Sequence, residues 1–341
     1  MNVRSRLVVF ATVVFVTVAS VGAAGLVTNH GMTAQPTVDQ QQFQPSAIDA
    51  PTVDRNGTIS YDDDGESKTI VIDVAHSNDV SEEALEPVVS ALTAGGHTVQ
   101  YHEASDEFDS DPAADLNETL RGADALIVVE PETRYTAGEA AGVSAFADAG
   151  GRVLFASGPD SGGLGGLLGL LGGTQPTGDE FAAVTSPVGI AYDTGYLYNM
   201  EEYENNFQSI YATPSTNSEL TDGVDRVVFD GPTPVVTDGQ TLLTTLEGTE
   251  HSETRETGAY SVFARSGNAI AVGDPGFMSS TNYNRADNDV LIGNILEFLV
   301  TGEKAPGVPE ETSAERDTGM TAESSDTGMT AESSPPQLPS T

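Results

Sequence analysis

The stretch that most constrains this fold runs from Lys68 to Gly96 and has the pattern of a strand, a polar loop and a helix. Residues 70–74 are rich in β-branched side chains, which is typical of a parallel strand that is covered on both faces. Apolar residues then recur at helical spacing over 85–92, and two glycines end the helix. Pro87 conflicts with an uninterrupted helix, so we expect either a kink or a separate first turn.

Strands and helices alternate in the rest of the domain. The pattern predicts further strands at residues 97–102, 124–130, 152–157 and 268–273. Helix starts are marked by Asp111-Pro112, by a capping box of Thr136 and Glu139, and by Asn288. This alternation predicts an α/β domain with a doubly wound, mostly parallel sheet, and residues 178–265 read as a β-rich insertion.

The two ends of the chain differ from the domain between them. Residues 1–28 carry Arg4 and Arg6 ahead of an uncharged apolar run, which predicts either an uncleaved membrane anchor or a cleaved signal segment. Both readings place the domain outside the cytoplasm, at the cell membrane or secreted. Residues 29–67 read as a disordered stalk before the domain at 68–302. Residues 303–341 read as a disordered acidic tail that contains two copies of DTGMTAESS.

The charge balance restricts the possible partners. The formal net charge is −39, and Lys68 and Lys304 are the only lysines. Such an acidic surface indicates a halophile, because molar salt reduces the Debye length to about 3 Å and screens the self-repulsion. The same charge argues against nucleic acid as a partner, because no basic patch is present to neutralise phosphates. The partner expected instead is an unidentified membrane or envelope protein.

Polar residues follow several of the predicted strands. Because parallel strands end at the same edge of a sheet, these residues are expected to converge there, where carboxylates and amides could hold a hydroxylated ligand or a cation. Asp and Asn at such positions also serve as ordinary caps of helices and turns, and this alternative stays open. The candidate ligand-binding residues are His76, Asn78, Asp79, Glu130, Ser157, Asp274, Asn282 and Asn288.

Several kinds of chemistry lack the residues that they need. The chain has no cysteine, which excludes disulfides, thiolate metal sites and a cysteine nucleophile. The glycine-rich run at 162–173 lacks the lysine of a phosphate-binding loop, and the sequence contains no nucleophile elbow. The histidines show no metal-binding spacing, so we expect no metal and no cofactor. Asn56 and Asn117 lie in glycosylation sequons.

Four long segments carry a family resemblance, at residues 70–99, 116–154, 195–214 and 267–302. Together they resemble the haloarchaeal DUF4350 domain proteins. The resemblance implies a class I glutamine amidotransferase-like fold, flavodoxin-like in outline. The segment from Gly267 also resembles the extracytoplasmic domain of gliding-type ABC transporter auxiliary proteins. Amidotransferase activity requires a cysteine, so we do not expect it here.

These observations predict a membrane-anchored extracellular α/β domain that binds a ligand or partner without catalysis, as an accessory to a transport or envelope system. The alternative is a hydrolase for a glycan or an ester that uses acids at the strand ends, such as Glu130 and Asp274. A purely structural envelope protein is a third option.

Overall fold

The computed structural model describes residues 12–14, 57–78, 82–105, 110–159 and 179–310. Two compact units, Met1–Thr52 and Val53–Thr341, divide the chain. The first is represented by the helical residues 12–14. No helix among the described residues is long and apolar enough to cross a membrane. Apart from residues 12–14, the predicted anchor lies outside the described residues, as do most of the predicted stalk and all but the start of the predicted tail.

A nine-stranded sheet forms the centre of the second unit. Its first five strands run parallel in the order β2-β1-β3-β4-β14, and continuous pairing in register connects them. The near-continuous apolar sequences of β3 and β14 predict burial on both faces, and both strands are buried at every position, whereas the outer strand β2 is largely exposed. The strands are β1 (Thr69–Asp73), β2 (Thr98–His102), β3 (Ala125–Val129), β4 (Arg152–Ala156) and β14 (Ala269–Val272).

Helices pack against both faces of this sheet, so the predicted α/β arrangement around a central sheet is present. The apolar side chains of α1 (Glu82–Ala94) and α5 (Asn288–Val300) join one buried cluster. The apolar side chains of α2 (Pro112–Arg121), α3 (Ala137–Asp148) and α4 (Asp179–Thr185) join the other. Alternation along β1 explains the division, because Ile70 and Ile72 belong to the first cluster and Val71 to the second.

The sequence signals for helix starts and breaks have different outcomes. The capping box of Thr136 and Glu139 is present, and Asp111 caps α2 ahead of Pro112. Helix α1 continues through Pro87, which lies in its second turn. Asn288 was expected to cap α5, but the cap position is Asp287, and Asn288 is the first residue of the helix.

The β-rich region extends the central sheet. Strand β14 pairs antiparallel with β13, and the order continues β13-β10-β7-β8. Smaller sheets of β12-β11-β6 and β5-β9 lie alongside. The strands are β5 (Ile190–Tyr192), β6 (Leu197–Tyr198), β7 (Ser209–Pro214), β8 (Val227–Asp230), β9 (Val235–Thr237), β10 (Gln240–Thr245), β11 (Thr249–His251), β12 (Thr257–Gly258) and β13 (Ser261–Ser266).

Residues 57–67, which the sequence assigns to the stalk, contain no helix or strand but pack in part against the domain. Ile59 and Tyr61 pack against the apolar cluster of α1 and α5. The Tyr61 hydroxyl donates to the Ala91 carbonyl at 3.3 Å. The packed part of the domain therefore begins before Lys68.

Candidate functional site

The carboxyl ends of the parallel strands meet at one edge of the sheet, as the sequence predicted. Strand β8 has the same direction as β14. Four antiparallel pairings lead from β14 through β13, β10 and β7 to β8, and an even number of reversals restores the original direction. The residues that follow β1, β3, β4, β14 and β8 therefore share this strand-end edge. In an open sheet with this order, ligands bind where the strand order reverses, which is between β1 and β3.

Four buried side chains form a cluster at the end of β1, which we call the histidine cluster: Asp73, His76, Tyr135 and Glu139. The two ring nitrogens of His76 face two carboxylates, with Nδ1 at 2.8 Å from Asp73 Oδ2 and Nε2 at 3.3 Å from Glu139 Oε1. The Tyr135 hydroxyl donates to Asp73. Its ring stacks on the His76 ring with centroids 3.6 Å apart.

The charges in the histidine cluster favour an imidazolium. Burial alone lowers the pKa of His76, but the hydrogen bonds and charges of Asp73 and Glu139 outweigh burial and raise that pKa to about 9. Burial raises the pKa of Glu139, but its bonds to His76 and Thr136 lower it overall. Burial and the Asp73 carboxylate raise the pKa of Tyr135 well above its usual range. The cluster is therefore a buried cation between two carboxylates.

Hydrogen bonds connect the loop after β1 with the loop after β3, next to the histidine cluster. The His76 carbonyl accepts hydrogen bonds from the backbone N–H groups of Glu132 and Thr133, each at 3.0 Å. The Asn78 side chain donates to the Val129 carbonyl at 2.9 Å and accepts from the His76 N–H at 3.0 Å. Ser77 and Glu130 have positive φ angles of 53° and 40°. Non-glycine residues rarely adopt this conformation, and it recurs at functional sites.

Further along the edge, three acids form what we call the carboxylate group: Glu130, Asp230 and Asp274. Asp274 accepts hydrogen bonds from the backbone N–H groups of Asp230 and Gly276, each at 2.7 Å. Glu130 accepts from the Gly158 N–H at 3.0 Å. A Cβ atom at Gly158 would lie 2.8 Å from Glu130 Oε1, so a larger residue there would displace the Glu130 carboxylate from this hydrogen bond. The acids therefore connect the ends of β3, β4, β14 and β8.

Asp274, the buried member of the carboxylate group, has a raised pKa. Burial and, to a smaller extent, the charges of Asp230 and Glu130 together raise the pKa of Asp274 to about 7, although its two N–H donors lower it. Burial also raises the pKa of the nearby Tyr192 hydroxyl well above its usual range, and Glu130 adds to that rise. Asp274 is therefore a carboxyl group that takes up a proton near neutral pH.

Arg285 joins the carboxylate group to the loop before β7. Its guanidinium is buried, pairs with Glu204 through two nitrogens, and donates to Asp230 at 2.6 Å. Although burial lowers the pKa of Arg285, the bonds to the two acids raise it overall. Asn282 donates to the Gly276 carbonyl at 3.0 Å. The described loops that follow β1, β3, β14 and β8 are thus each tied to a neighbour by a side chain.

The sequence-predicted residues fall into three positions. His76 and Asn78 lie at the reversal point, and Glu130, Ser157, Asp274 and Asn282 lie around the carboxylate group. Asn288 is fully buried, and its side-chain amide forms hydrogen bonds with both the N–H and the carbonyl of Val228. Asp79 lies outside the described residues. Binding at these positions stays a prediction.

Sequence reasoning missed the partners that complete both clusters, which are Asp73, Tyr135, Glu139, Asp230, Glu204 and Arg285. One signal was available, because an acid in a buried strand needs a partner and Asp73 lies three residues before His76. Glycosylation at Asn117 does not fit the structure, because that side chain is buried and lies so close to Gly142 that a Cβ atom there would clash with it. Among the described residues, no three His, Asp or Glu side chains are placed to hold a metal ion.

Comparisons with known proteins give a family and a fold. The profile described as "Domain of unknown function (DUF4350)" matches residues 84–296. No curated protein matches the chain. The mmIFT52 N-terminal domain is similar in structure with a TM-score of 0.51 and 13% identity, over 69% of this chain and 99% of that one. At this identity the likeness concerns the fold alone.

Two bacterial structures give lower scores. The exo-beta-1,4-mannosidase Op5Man5 from Opitutaceae bacterium strain TAV5 has a TM-score of 0.35 and 13% identity, over 70% of this chain and 37% of that one. A ThuA-like protein from Parabacteroides merdae has a TM-score of 0.41 and 11% identity, over 72% of this chain and 94% of that one.

Proposed function

Because the chain belongs to the DUF4350 family of domains of unknown function, we propose a function from the chemistry of its own strand-end edge. The domain is a non-catalytic binding module that holds a ligand or partner at this edge. What supports the proposal is the rigidity of the edge, because Asp274, Asn78, Glu130 and Arg285 each tie neighbouring loops together. Such preorganisation reduces the entropy that binding costs.

A finer classification and a location belong to the same proposal. The strand order β2-β1-β3-β4-β14 supports a flavodoxin-like, class I glutamine amidotransferase-like fold. The net charge of −39 supports a haloarchaeal origin. The uncharged run after Arg4 and Arg6 supports an anchor that holds the domain outside the membrane, or else a signal that lets it be secreted. In that setting the module would serve a transport or envelope system.

One observation favours the hydrolase as a second candidate. The pKa of Asp274 is raised to about 7 beside the ionisable Glu130. A carboxyl group with a raised pKa beside a second acid is what a glycosidase needs for its general acid. The competing structural role is also visible, since both oxygens of Asp274 accept backbone hydrogen bonds.

A ligand panel tests the proposal. Thermal unfolding of the full chain in molar KCl is followed with sugars, nucleotides and divalent cations, together with chromogenic glycosides and esters. We expect a ligand at 100 times its dissociation constant to stabilise the fold by about 2.7 kcal/mol. Asp274→Asn should abolish this stabilisation, whereas Asn294→Ala on α5 should preserve it. Turnover that falls by about 100-fold or more in Asp274→Asn and Glu130→Gln would favour the hydrolase instead.

A further inference from the structure

The surface of the domain carries an unusual concentration of exposed apolar side chains in the segment between β6 and β7. We call residues 199–208 the apolar loop. Met200 is 61% exposed, Tyr203 43% and Phe207 41%. Elsewhere in the described part of the second unit, the large apolar side chains left exposed are Tyr101 and Val236. An acidic, strongly hydrated surface makes such a concentration a candidate interaction site.

The apolar loop is held in one conformation by hydrogen bonds. The Asn199 side chain accepts from the backbone N–H groups of Glu201 and Glu202, each at 2.9 Å. The Asn199 N–H donates to the Phe207 carbonyl at 2.8 Å, which closes the loop. Arg285 anchors Glu204 from the loop that follows β14. The backbone that carries the apolar side chains is thus held in place, and a preorganised backbone reduces the entropy lost on binding.

The apolar loop also carries exposed negative charge that Arg285 does not neutralise. Arg285 neutralises Glu204 and Asp230, whereas Glu201 and Glu202 stand exposed beside Met200. Complementary potentials select partners, and like charges placed opposite each other are costly. Two copies of this chain meeting at the loop would bring Glu201 and Glu202 against their own counterparts. A ligand of positive charge fits the surface better than a second copy or an anion does.

The size of the loop limits the partner to a short segment. A stable protein interface of standard size takes about 20–30 residues from each side, and the apolar loop has ten, from 199 to 208. Methionine, tyrosine and phenylalanine are enriched where interfaces are buried. Arginine side chains already lie over aromatic rings nearby, with Arg226 at 4.7 Å from the Tyr211 ring and Arg255 at 5.8 Å from the Tyr198 ring. A partner arginine could stack on Tyr203 or Phe207 in the same way.

We propose that the apolar loop docks a short segment of a protein partner, in which apolar or aromatic side chains are flanked by arginine or lysine. This inference rests on the proposed binding function and gives it a surface and a partner class. The loop borders the strand-end edge, because Glu204 and Asp230 share Arg285. The strand ends and the loop can nevertheless be altered separately, since the exposed side chains of Met200, Tyr203 and Phe207 do not take part in the carboxylate group.

The test is a selection of short random peptides on the immobilised full chain in molar KCl. We expect the enriched peptides to combine an apolar or aromatic residue with arginine or lysine. Their binding should weaken by about 30-fold in the triple variant Met200→Ser, Tyr203→Ser, Phe207→Ser, the weakening expected when hot-spot side chains are removed. The matched control is the variant Tyr101→Ser, Val236→Ser, which removes exposed apolar side chains outside the loop and should bind unchanged.

A charge-reversal variant tests the inference without relying on a loss of binding, which misfolding could also cause. In Glu201→Lys, Glu202→Lys the selection should switch to acidic peptides, while the unfolding temperature stays close to that of the wild type. Enriched peptides that bind the triple variant as tightly as the wild type overturn the inference, as does a loop-dependent dimer in sedimentation or loop-dependent binding of a glycan. These outcomes leave the proposed function standing, because its failure is read separately, from turnover that depends on Asp274.

Discussion

His76 illustrates how this domain uses a buried ionic group. A buried charge is costly unless it is paired and hydrogen-bonded, and both ring nitrogens of His76 face a carboxylate. The Tyr135 hydroxyl donates a further hydrogen bond to Asp73. The histidine cluster fills the point where the strand order reverses, which is the position that ligands occupy in other open sheets. Here the protein's own side chains occupy it.

The raised pKa of His76 predicts a loss of stability in mildly alkaline solution. A group whose folded pKa exceeds its unfolded value stabilises fully below the unfolded pKa, here about 6.5, and the contribution is lost as the pH rises through the folded value of about 9. This interval corresponds to about 3 kcal/mol at 1.36 kcal/mol per pKa unit. We expect the free energy of unfolding, measured by urea unfolding in molar KCl, to fall between pH 7 and pH 10 by an amount of this order.

Two variants isolate the source of that loss. His76→Gln should be less stable at pH 7 and should show a flatter alkaline profile, because the titrating cation is gone. Burial lowers the pKa of the neighbouring His102, so His102→Gln should keep the alkaline fall. Tyr135 titrates well above this range. An alkaline profile that is unchanged in His76→Gln would show that another group is responsible.

Sequence reasoning reached the positions of these residues but not their partners. His76 and Asp274 were placed at strand ends because a local pattern marks where a strand stops. The partners come from distant parts of the chain, since Tyr135 is 62 residues from Asp73 and Asp230 is 44 residues from Asp274. No local pattern specifies which distant loops meet at the edge of a sheet.

At the scale of elements, the outer strand β8 is protected by a side chain. Exposed strand edges offer unpaired backbone groups to other chains. The Asn288 amide accepts from the Val228 N–H at 2.9 Å and donates to the Val228 carbonyl at 3.1 Å, as a neighbouring strand would. Asp287 accepts from the N–H groups of Asp225 and Arg226, just before β8 begins. Helix α5 therefore closes this edge of the sheet.

Removal of that amide should destabilise the domain. Asn288→Ala leaves two buried backbone groups of Val228 without partners, and each such group costs about 1–3 kcal/mol. We expect the free energy of unfolding to fall by about 3 kcal/mol, measured by urea unfolding in molar KCl. Asn294→Ala removes a half-buried amide from the same helix and should cost about 1 kcal/mol or less. Equal losses in the two variants would contradict a specific role for Asn288.

The elements themselves were predictable where their signals are local. The first four strands and the capping box lie within one or two residues of their predicted places, because β-branched runs and caps act over a few residues. Residues 178–265 read as an insertion, yet β7, β8, β10 and β13 extend the central sheet. Short alternating runs predict that strands exist, but they do not specify which neighbours those strands pair with.

Across the whole molecule, the few cations are placed where they support the fold. Lys304 donates to the carbonyls of Leu120, Arg121 and Val308, at the end of α2 and in the segment after α5. Arg265 pairs with Glu219, and both Arg152 and Arg265 lie over the Phe298 ring. The acids, by contrast, far outnumber the basic residues, 52 to 13. Most of the acidic charge therefore has no cation within the protein to balance it.

This imbalance predicts that stability depends on salt. Lowering KCl from 1 M to 0.1 M extends the Debye length from about 3 Å to about 10 Å, so repulsion among the acids grows. We expect the urea midpoint to fall steadily over this range. Replacement of KCl by an uncharged osmolyte at equal osmolality should not restore it, which separates screening from solvent exclusion. A midpoint that does not change with KCl would contradict this account of the charge.

Strand β14 is the last strand in the described part of the chain, yet it lies in the middle of the sheet, between β4 and β13. It alone joins the parallel strands to the antiparallel ones, through pairing with residues 153–156 on one side and 263–266 on the other. A nascent chain that has not reached Val272 therefore has two half-sheets, each with an open inner edge. Completion of the sheet must therefore await the synthesis of β14, and until then those edges depend on whatever protects a growing chain.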